Sequence, residues 1–191
     1  APPLDPARNV LYSGEKCSLV GKNGGNGRSA AIPAVFFIAP GGGRVFQGAT
    51  ELSLDAKGRL AVPTRHRDAL ASGNGKVVLT AHPDGCLLLY PHVSWEPIRA
   101  KLQGLSNFNE QARWWQRLLL GFAEELEPDG SGRILISPAL RKLAGLQKQV
   151  MLVGQGSRFE VWDLDRWEEK LGQAMQMAAG SPPPGTEGFA L

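Results

Sequence analysis

The sequence predicts a mainly β protein with short helices, an α+β fold that contains two copies of one unit. Stretches such as ATELSL alternate apolar and polar residues, as half-buried strands do. The same order of strand, turn, strand and short helix then occurs twice along the chain. The composition, with 42% apolar and 20% charged residues, is typical of a globular protein. No stretch reaches the roughly 18 apolar residues of a membrane span, so no membrane partner is expected.

The two ends of the chain, residues 1–44 and 179–191, are predicted to be disordered. They contain GKNGGNG and GSPPPG and show no sustained period of 2 or 3.6. Such segments cannot bury enough apolar surface to offset the entropy of ordering. The excess of basic residues lies in residues 1–44, so the rest of the chain is formally neutral. Bulk charge therefore does not argue for nucleic acid, and only local clusters can.

Residues 45–105 form the first predicted repeat. ATELSL, the turn DAKG and the returning RLAV predict a hairpin, and Pro63 then opens a short helix, TRHRDAL, that ends at SGNG. KVVLTA and CLLLY, joined by HPDG, predict a second hairpin. SWEPIRAKLQGL predicts a helix that Ser94 caps and whose first turn holds Pro97.

Residues 106–121 are predicted to form a connecting helix, and residues 122–178 repeat the first unit. AEELEP, DGSG and RILI predict a hairpin, SPALRKLAGL a helix, QVMLVG and RFEVWD a strand pair, and LDRWEEKLGQAMQMAA a C-terminal helix. Matching positions 74 residues apart are Asp55 and Asp129, Gly58 and Gly132, Arg59 and Arg133, and Arg67 and Arg141. We expect this offset to hold through Val78 and Leu152 and then to fall to 72 at Tyr90 and Trp162.

The turns DAKGR and DGSGR raise the question of function. Asp55 and Asp129 can accept backbone hydrogen bonds from residues further along each turn, and Gly58 and Gly132 supply a positive φ. The turn geometry does not require an arginine at its end. Arg59 and Arg133 either pair with the aspartates, or they present guanidinium groups to phosphate or to a guanine edge. Spacing alone supports the two interpretations equally.

A local basic cluster favours the second interpretation for the first turn. Lys57, Arg59, Arg65 and Arg67 lie close together, with Asp68 as the acid among them. The second copy is weaker, because Ser131 stands where the first copy has Lys57. If the protein binds DNA, we expect the first repeat to dominate.

Longer stretches carry a resemblance to a known family. FQGATELSLDAKGRLAVPTRHRDAL, QRLLLGFAEELEPDGSGRILISPALRKLAGL and VMLVGQGSRFEVWD resemble the MraZ family of bacterial transcriptional regulators over residues 45 to about 175. The resemblance implies an AbrB-like fold (SpoVT-AbrB domain), in which two swapped-hairpin units form one pseudo-twofold β-barrel. It also implies a ring-shaped homo-oligomer, cytoplasmic and associated with the nucleoid, that needs no cofactor.

The resemblance further implies a function. Such proteins bind short direct repeats in double-stranded DNA upstream of their own operon, the division and cell-wall cluster, and we expect a repressor. The arginines that contact DNA in the family correspond to Arg59 and Arg133, and Lys57, Arg65 and Arg67 are added from charge clustering. Because the family begins at a residue that matches Val45, we expect Val45 to be the true start, read as Met.

Three other features suggest competing interpretations. Trp114, Trp115, Leu118 and Leu119 lie at helical spacing, which favours a core between the repeats over a ligand surface. Leu164, Trp167, Leu171 and Met175 form a stripe that packs on its own barrel or, as we favour, on a neighbour. HPDGC brings His82, Asp84 and Cys86 together as a catalytic candidate, but the second repeat lacks this set.

The competing function classes follow from these features. A barrel hydrolase or decarboxylase would need Asp55, His82 or Cys86 in one pocket, which their positions on separate turns disfavour. An antitoxin or protein-binding module remains the alternative, since it too uses such hairpins. The cysteines and histidines show no zinc spacing or disulfide framework, so no metal or cofactor is expected.

Overall fold

A computed structural model describes residues 12–13, 16–17 and 45–178. Near the N-terminus, strands β1 (Tyr12–Ser13) and β2 (Lys16–Cys17) pair antiparallel with each other. The predictions of disorder for residues 179–191 and for the remainder of residues 1–44 lie outside the described residues.

Residues 45–178 fold into eight strands and five helices. The elements of the first part are β3 (Ala49–Ser53), β4 (Arg59–Ala61), α1 (Thr64–Leu70), β5 (Val77–Ala81), β6 (Leu87–Pro91) and α2 (His92–Gln103). Helix α3 (Glu110–Leu119) follows. The elements of the second part are β7 (Glu124–Leu126), β8 (Arg133–Leu135), α4 (Pro138–Ala144), β9 (Gln149–Gly154), β10 (Phe159–Asp163) and α5 (Leu164–Ala178).

These strands form two antiparallel sheets. A six-stranded sheet has the order β3-β9-β10-β6-β5-β7, and a separate two-stranded ribbon joins β4 to β8. The predicted α+β class is confirmed. The six-stranded sheet keeps two edges, at β3 and β7, so these pairings do not close the predicted barrel.

Two of the predicted hairpins are confirmed and two need correction. Strands β5 and β6, and likewise β9 and β10, pair as hairpins. By contrast, β3 pairs with β9 and β7 with β5, while β4 and β8 pair with each other. Alternation of apolar residues identifies a strand but not its partner. The fully buried Leu60 and Ile134 face each other across the ribbon, and this contact draws the returning strands together.

The pairings are related by exchange of the two repeats. Leu60 faces its equivalent Ile134 in the ribbon, and Leu88 faces its equivalent Glu160 between β6 and β10. The order of the large sheet also reads the same from either edge when each strand is replaced by its repeat equivalent. The internal repeat in the sequence is therefore a repeat in the structure.

The expected match of Val78 with Leu152 is wrong by one residue. The pairs that show this are Leu52 with Val150 and Leu126 with Val77. Because Leu52 and Leu126 are equivalent, Val77 is the equivalent of Val150, and Val78 matches Met151. Val78 and Leu152 accordingly lie in different apolar clusters. One residue is lost before the strand and another in the hairpin turn, which accounts for the offset of 72 at Tyr90 and Trp162.

Apolar side chains cover both faces of the large sheet, as the continuous burial of β5 and β6 requires. One cluster contains the ribbon and the buried sides of α1 and α4, including Leu60, Ile134 and Leu140. The other packs α2 and α3 on the opposite face, around Trp95 and Trp162. One face of the ribbon therefore packs on the core, and its opposite face does not.

Two helix predictions are corrected at their starts. Helix α2 begins at His92, directly after β6, with Pro91 at the cap position and no side-chain cap bond, so Ser94 is not its cap. Pro97 therefore lies beyond the first turn of the helix. Helix α3 is shorter than residues 106–121, because the Asn109 side chain accepts from the backbone N–H of Ala112 at 3.1 Å and starts the helix there.

The prediction of an inter-repeat core on α3 holds only in part. Leu119 is buried and Leu118 is partly buried, but Trp114 is 60% exposed and Trp115 40% exposed. Helical spacing identifies a shared face without showing how much of it a neighbouring element covers. Here the sheet covers the leucine side and leaves both tryptophans outside.

Candidate nucleic-acid interface

The first turn is organised by Asp55. Its Oδ1 accepts from the backbone N–H groups of Lys57 and Arg59, each at 2.9 Å, and its backbone C=O accepts from the N–H of Gly58 at 2.8 Å. Gly58 has a φ of 80°, which glycine adopts without strain. The Arg59 Nε then donates to Asp55 Oδ2 at 2.6 Å. Both predicted roles of Asp55, in the turn and in the ion pair, are present.

The second turn repeats this geometry. Asp129 Oδ1 accepts from the backbone N–H groups of Ser131 and Arg133, at 2.9 and 3.0 Å, and Gly132 has a φ of 72°. Arg133 binds Asp129 Oδ2 through both Nε and Nη2, each at 2.8 Å. Arg133 therefore commits two nitrogens to its own aspartate, whereas Arg59 commits one.

The ribbon brings the two turns onto one surface. Since Leu60 and Ile134 point into the core, their neighbours Arg59, Ala61, Arg133 and Leu135 share the opposite face. Arg59 Nη1 lies 3.9 Å from Asp129 Oδ2, so the side chains of the two turns meet. We call the surface formed by residues 55–61 and 129–135 the turn face.

Each turn is supported by an arginine from the other repeat. The Arg67 Nε donates to the Val62 backbone C=O at 2.8 Å, and the Arg67 side chain covers Gly132 so closely that a Cβ there would overlap it. Arg141 stands in the same relation to Gly58, where a Cβ would lie 2.7 Å from its Cζ. The glycines are thus required for a close approach as well as for φ.

The other basic residues of the predicted patch are not gathered at the first turn, where only Lys57 lies. The Lys57 side chain is exposed. Arg65 is also exposed, and its Nη2 donates to Thr50 Oγ1 at 2.9 Å. Arg67 is half-buried in its contact with the opposite turn. The predicted site residues therefore fall into exposed cations, paired arginines and a supporting arginine.

Hydrogen bonds lower the pKa values of both aspartates of the turn face. The backbone N–H of Arg59, followed by its guanidinium, lowers the pKa of Asp55 to about 2. The backbone N–H of Arg133 likewise lowers the pKa of Asp129. Both carboxylates are therefore charged at neutral pH, and each holds the Nε of its arginine in place through a charge-assisted hydrogen bond.

The lowered pKa of Asp55 makes a prediction about stability. A carboxyl group with a lowered folded pKa stabilises the fold above its unfolded pKa and loses that contribution as pH falls through the folded value. We expect wild type to be more stable than Asp55→Asn by a constant amount well above pH 3.8, and this difference to shrink as pH falls below 3.8 and to vanish below about pH 2. Urea denaturation across this range measures it. A difference that is the same at pH 2 as at neutral pH would contradict the assigned interaction.

Comparison with known proteins agrees with this doubled geometry. A family model described as "MraZ protein, putative antitoxin-like" matches twice, over residues 45–118 and 119–181. The transcriptional regulator MraZ of Methylobacillus flagellatus is 57% identical over 148 residues, which cover 77% of this chain and 100% of the relative. The chain belongs to the MraZ family. The regulator of Nitrosomonas eutropha is 52% identical with the same coverage, and that of an Acidovorax species is 53% identical over 133 residues, 69% of this chain and 92% of the relative.

Membership of the MraZ family places the chain among transcriptional regulators. The catalytic candidates His82, Asp55 and Cys86 do not share one pocket. Cys86 is fully buried, and burial raises the pKa of its thiol to about 12, so it is protonated at neutral pH. Asp55 lines a cavity with Gly58 and Arg141, and neither His82 nor Cys86 is part of that lining. The described residues contain no cluster of three His, Cys, Asp or Glu side chains that could hold a metal ion.

None of the helices in the described part of this MraZ-family chain has the length and apolar character to span a bilayer.

Two features of the turn face were not predicted from the sequence. Arg67 and Arg141 reach across to the opposite turn, and such a cross-repeat contact leaves no local pattern. Ala61 and Leu135 lie beside the arginines, and Leu135 is 52% exposed. The alternation in RLA and RIL, with the central residue buried, was the signal that could have identified them.

Proposed function

We propose that this MraZ-family protein is a sequence-specific DNA-binding repressor whose turn face contacts double-stranded DNA. The observation that carries the proposal is the convergence of two arginine turns, with Arg59 Nη1 3.9 Å from Asp129 Oδ2, on one surface that the core does not use. A protein of neutral bulk charge can bind DNA through such a local cluster. Arginine is suited to this role because its planar guanidinium binds phosphate or guanine through two parallel hydrogen bonds.

Each predicted site residue has a proposed role. Arg59 and Arg133 contact DNA, oriented by Asp55 and Asp129 through the Nε bonds. Lys57 binds phosphate from the first turn, and Arg65 binds phosphate from beside β3, where it donates to Thr50 Oγ1. Arg67 acts through Gly132 as a positioning residue, since its Nε is committed to the Val62 carbonyl. Gly58 and Gly132 keep the turns tight enough for these contacts.

The two turns are expected to contribute unequally. Arg133 donates to Asp129 through two nitrogens, and Ser131 replaces the cation that Lys57 supplies in the first turn. If Arg133 turns towards DNA, two of its nitrogens must leave Asp129, whereas only the Nε of Arg59 is bound to Asp55. The first turn is therefore the stronger contact.

We also propose how the chains assemble and which DNA they bind. Each chain would contain two AbrB-like units related by the pseudo-twofold exchange of the repeats, and several chains would form a ring. A ring that holds several turn faces in phase with tandem direct repeats gains avidity that a single face lacks. The target is DNA upstream of its own operon, in the division and cell-wall cluster, and the protein acts in the cytoplasm at the nucleoid without a cofactor.

An antitoxin or protein-binding module is the second candidate, and the antitoxin-like description of the matching family model favours it. The two functions differ in whether binding to the partner requires Arg59 of the turn face. A toxin partner would co-purify with the protein and survive Arg59→Ala, whereas DNA binding would not.

Binding to upstream DNA tests the proposed function. A duplex from immediately upstream of the coding sequence is expected to shift in a gel at moderate salt, and a duplex of the same composition in scrambled order is not. Affinity is expected to fall steeply as salt rises, because phosphate contacts release counterions. Equal binding to both duplexes would contradict sequence-specific recognition.

A further inference from the structure

Helix α5 carries an apolar stripe that the sheet covers only in part. Leu171 and Met175 follow Leu164 and Trp167 on one face of the helix. Trp167 packs on Trp162 with ring centroids 6.0 Å apart, whereas Leu171 is 42% exposed and Met175 67% exposed. We call Leu171 and Met175 the α5 stripe. Adjacent exposed apolar side chains of this size are typical of an interaction surface.

An apolar groove lies elsewhere on the same chain. Trp114, Trp115 and Leu118 of α3, together with Pro83 of the β5–β6 turn, line a cavity of about 580 Å³. Gln111 and Glu110 complete its lining. We call it the α3 groove. Two half-exposed tryptophans beside an open cavity of this size can accept the side chains of a helix.

One charged residue at the side of each surface differs in sign from its counterpart: Arg117 lies beside the groove, whose lining also contains Glu110, and Glu168 lies beside the stripe. The Arg117 guanidinium lies over the Trp114 ring, 4.9 Å from its centroid, at the side of the groove. Glu168 precedes Leu171 and Met175 by three and seven residues, so it flanks the stripe on the same side of α5. A helix that placed its stripe in the groove would bring an acid towards a base.

We propose that the α5 stripe of one copy of this chain inserts into the α3 groove of a second copy, with Glu168 facing Arg117. The two surfaces differ, so the contact is head-to-tail: each pair leaves one groove and one stripe free, and repetition yields a ring if the rotation closes. The inference rests on the proposed function in that it supplies the contact by which the ring would form. It makes no use of the turn face.

Light scattering after size-exclusion chromatography of the full chain tests this contact. Leu171→Glu/Met175→Glu and, separately, Trp114→Glu are each expected to reduce the wild-type assembly to the 20.5 kDa monomer. Two matched controls are expected to keep the wild-type mass. Met177→Glu changes a 74% exposed side chain on another face of α5, and Phe108→Glu changes a 99% exposed ring outside the groove. Circular dichroism confirms folding, which these exposed positions should preserve.

Mixing the stripe variant with the groove variant tests whether the contact is head-to-tail. The stripe variant keeps its groove and the groove variant keeps its stripe, so an equimolar mixture is expected to form a two-chain complex from monomers. Glu168→Arg and Arg117→Glu should each weaken assembly, and the double variant should restore it. Wild-type mass in either disrupted variant, or a mixture that stays monomeric, would overturn the proposal.

Two further results separate this inference from its alternatives. A chain that ends at Ala178 is expected to assemble as wild type does, and its dissociation would identify residues 179–191 as the occupant of the groove and overturn the proposal. If wild type assembles and the variants do not disturb it, the inference fails while the proposed function stands. A wild type that is monomeric at every concentration would contradict the ring itself, and gel shifts test the turn face separately.

Discussion

Replacing Arg59 with alanine is expected to abolish operator binding while the fold and the assembly persist. A bidentate arginine contact contributes about 1–3 kcal/mol, or roughly fivefold to 150-fold in affinity. The loss recurs in every chain of a ring, so binding should fall below detection at concentrations where wild type saturates. The turn should survive, because the backbone N–H groups of Lys57 and Arg59 still donate to Asp55.

Two observations would contradict this assignment. One is a normal gel shift of Arg59→Ala at moderate salt, and the other is loss of assembly, which would make Arg59 a structural residue. Arg133→Ala is the matched comparison from the second turn and is expected to weaken binding less. If the Arg59 guanidinium binds a backbone phosphate, Arg59→Ala should reduce the slope of log affinity against log salt concentration by about 1.

Replacing Ile134 with alanine is expected to destabilise the protein by about 2–5 kcal/mol, since a fully buried aliphatic side chain leaves a cavity when truncated. Ile134 faces Leu60 at the centre of the β4–β8 ribbon, which pairs one strand from each repeat. The loss should therefore affect both turns together. Chemical denaturation of the full chain measures the change in the free energy of unfolding.

The neighbouring residue provides a control in the same strand. Leu135 is 52% exposed on the turn face, so Leu135→Ala should change stability by less than about 1 kcal/mol. Equal destabilisation by the two substitutions would contradict the assigned orientation of the ribbon.

Local chemistry explains why much of the turn face could be predicted. The spacing of Asp, Gly and Arg in DAKGR specifies a turn within five residues, and the structure shows the expected bonds from Asp55 and Asp129. The helix predicted for SPALRKLAGL is likewise observed as α4, and the structure shows the Ser137 side chain as its cap. Such features depend only on near neighbours in the chain.

Contacts between distant segments could not be predicted. The partner of β3 is β9 rather than β4, because the burial of Leu60 against Ile134 outweighs local hairpin pairing. The exposure of Trp114 depends on where the sheet ends, which helical spacing does not encode. The contact of Arg67 with the opposite turn likewise exists only after the repeats have come together.

Photo-crosslinking from the turn face tests the central claim most directly. A photoreactive side chain placed at position 57 or 131, both exposed in the turns, is expected to crosslink to the upstream duplex, more efficiently from 57. The same group at position 177 on α5, which is also exposed, should not crosslink. Crosslinking from 177 with none from 57 or 131 would contradict the account.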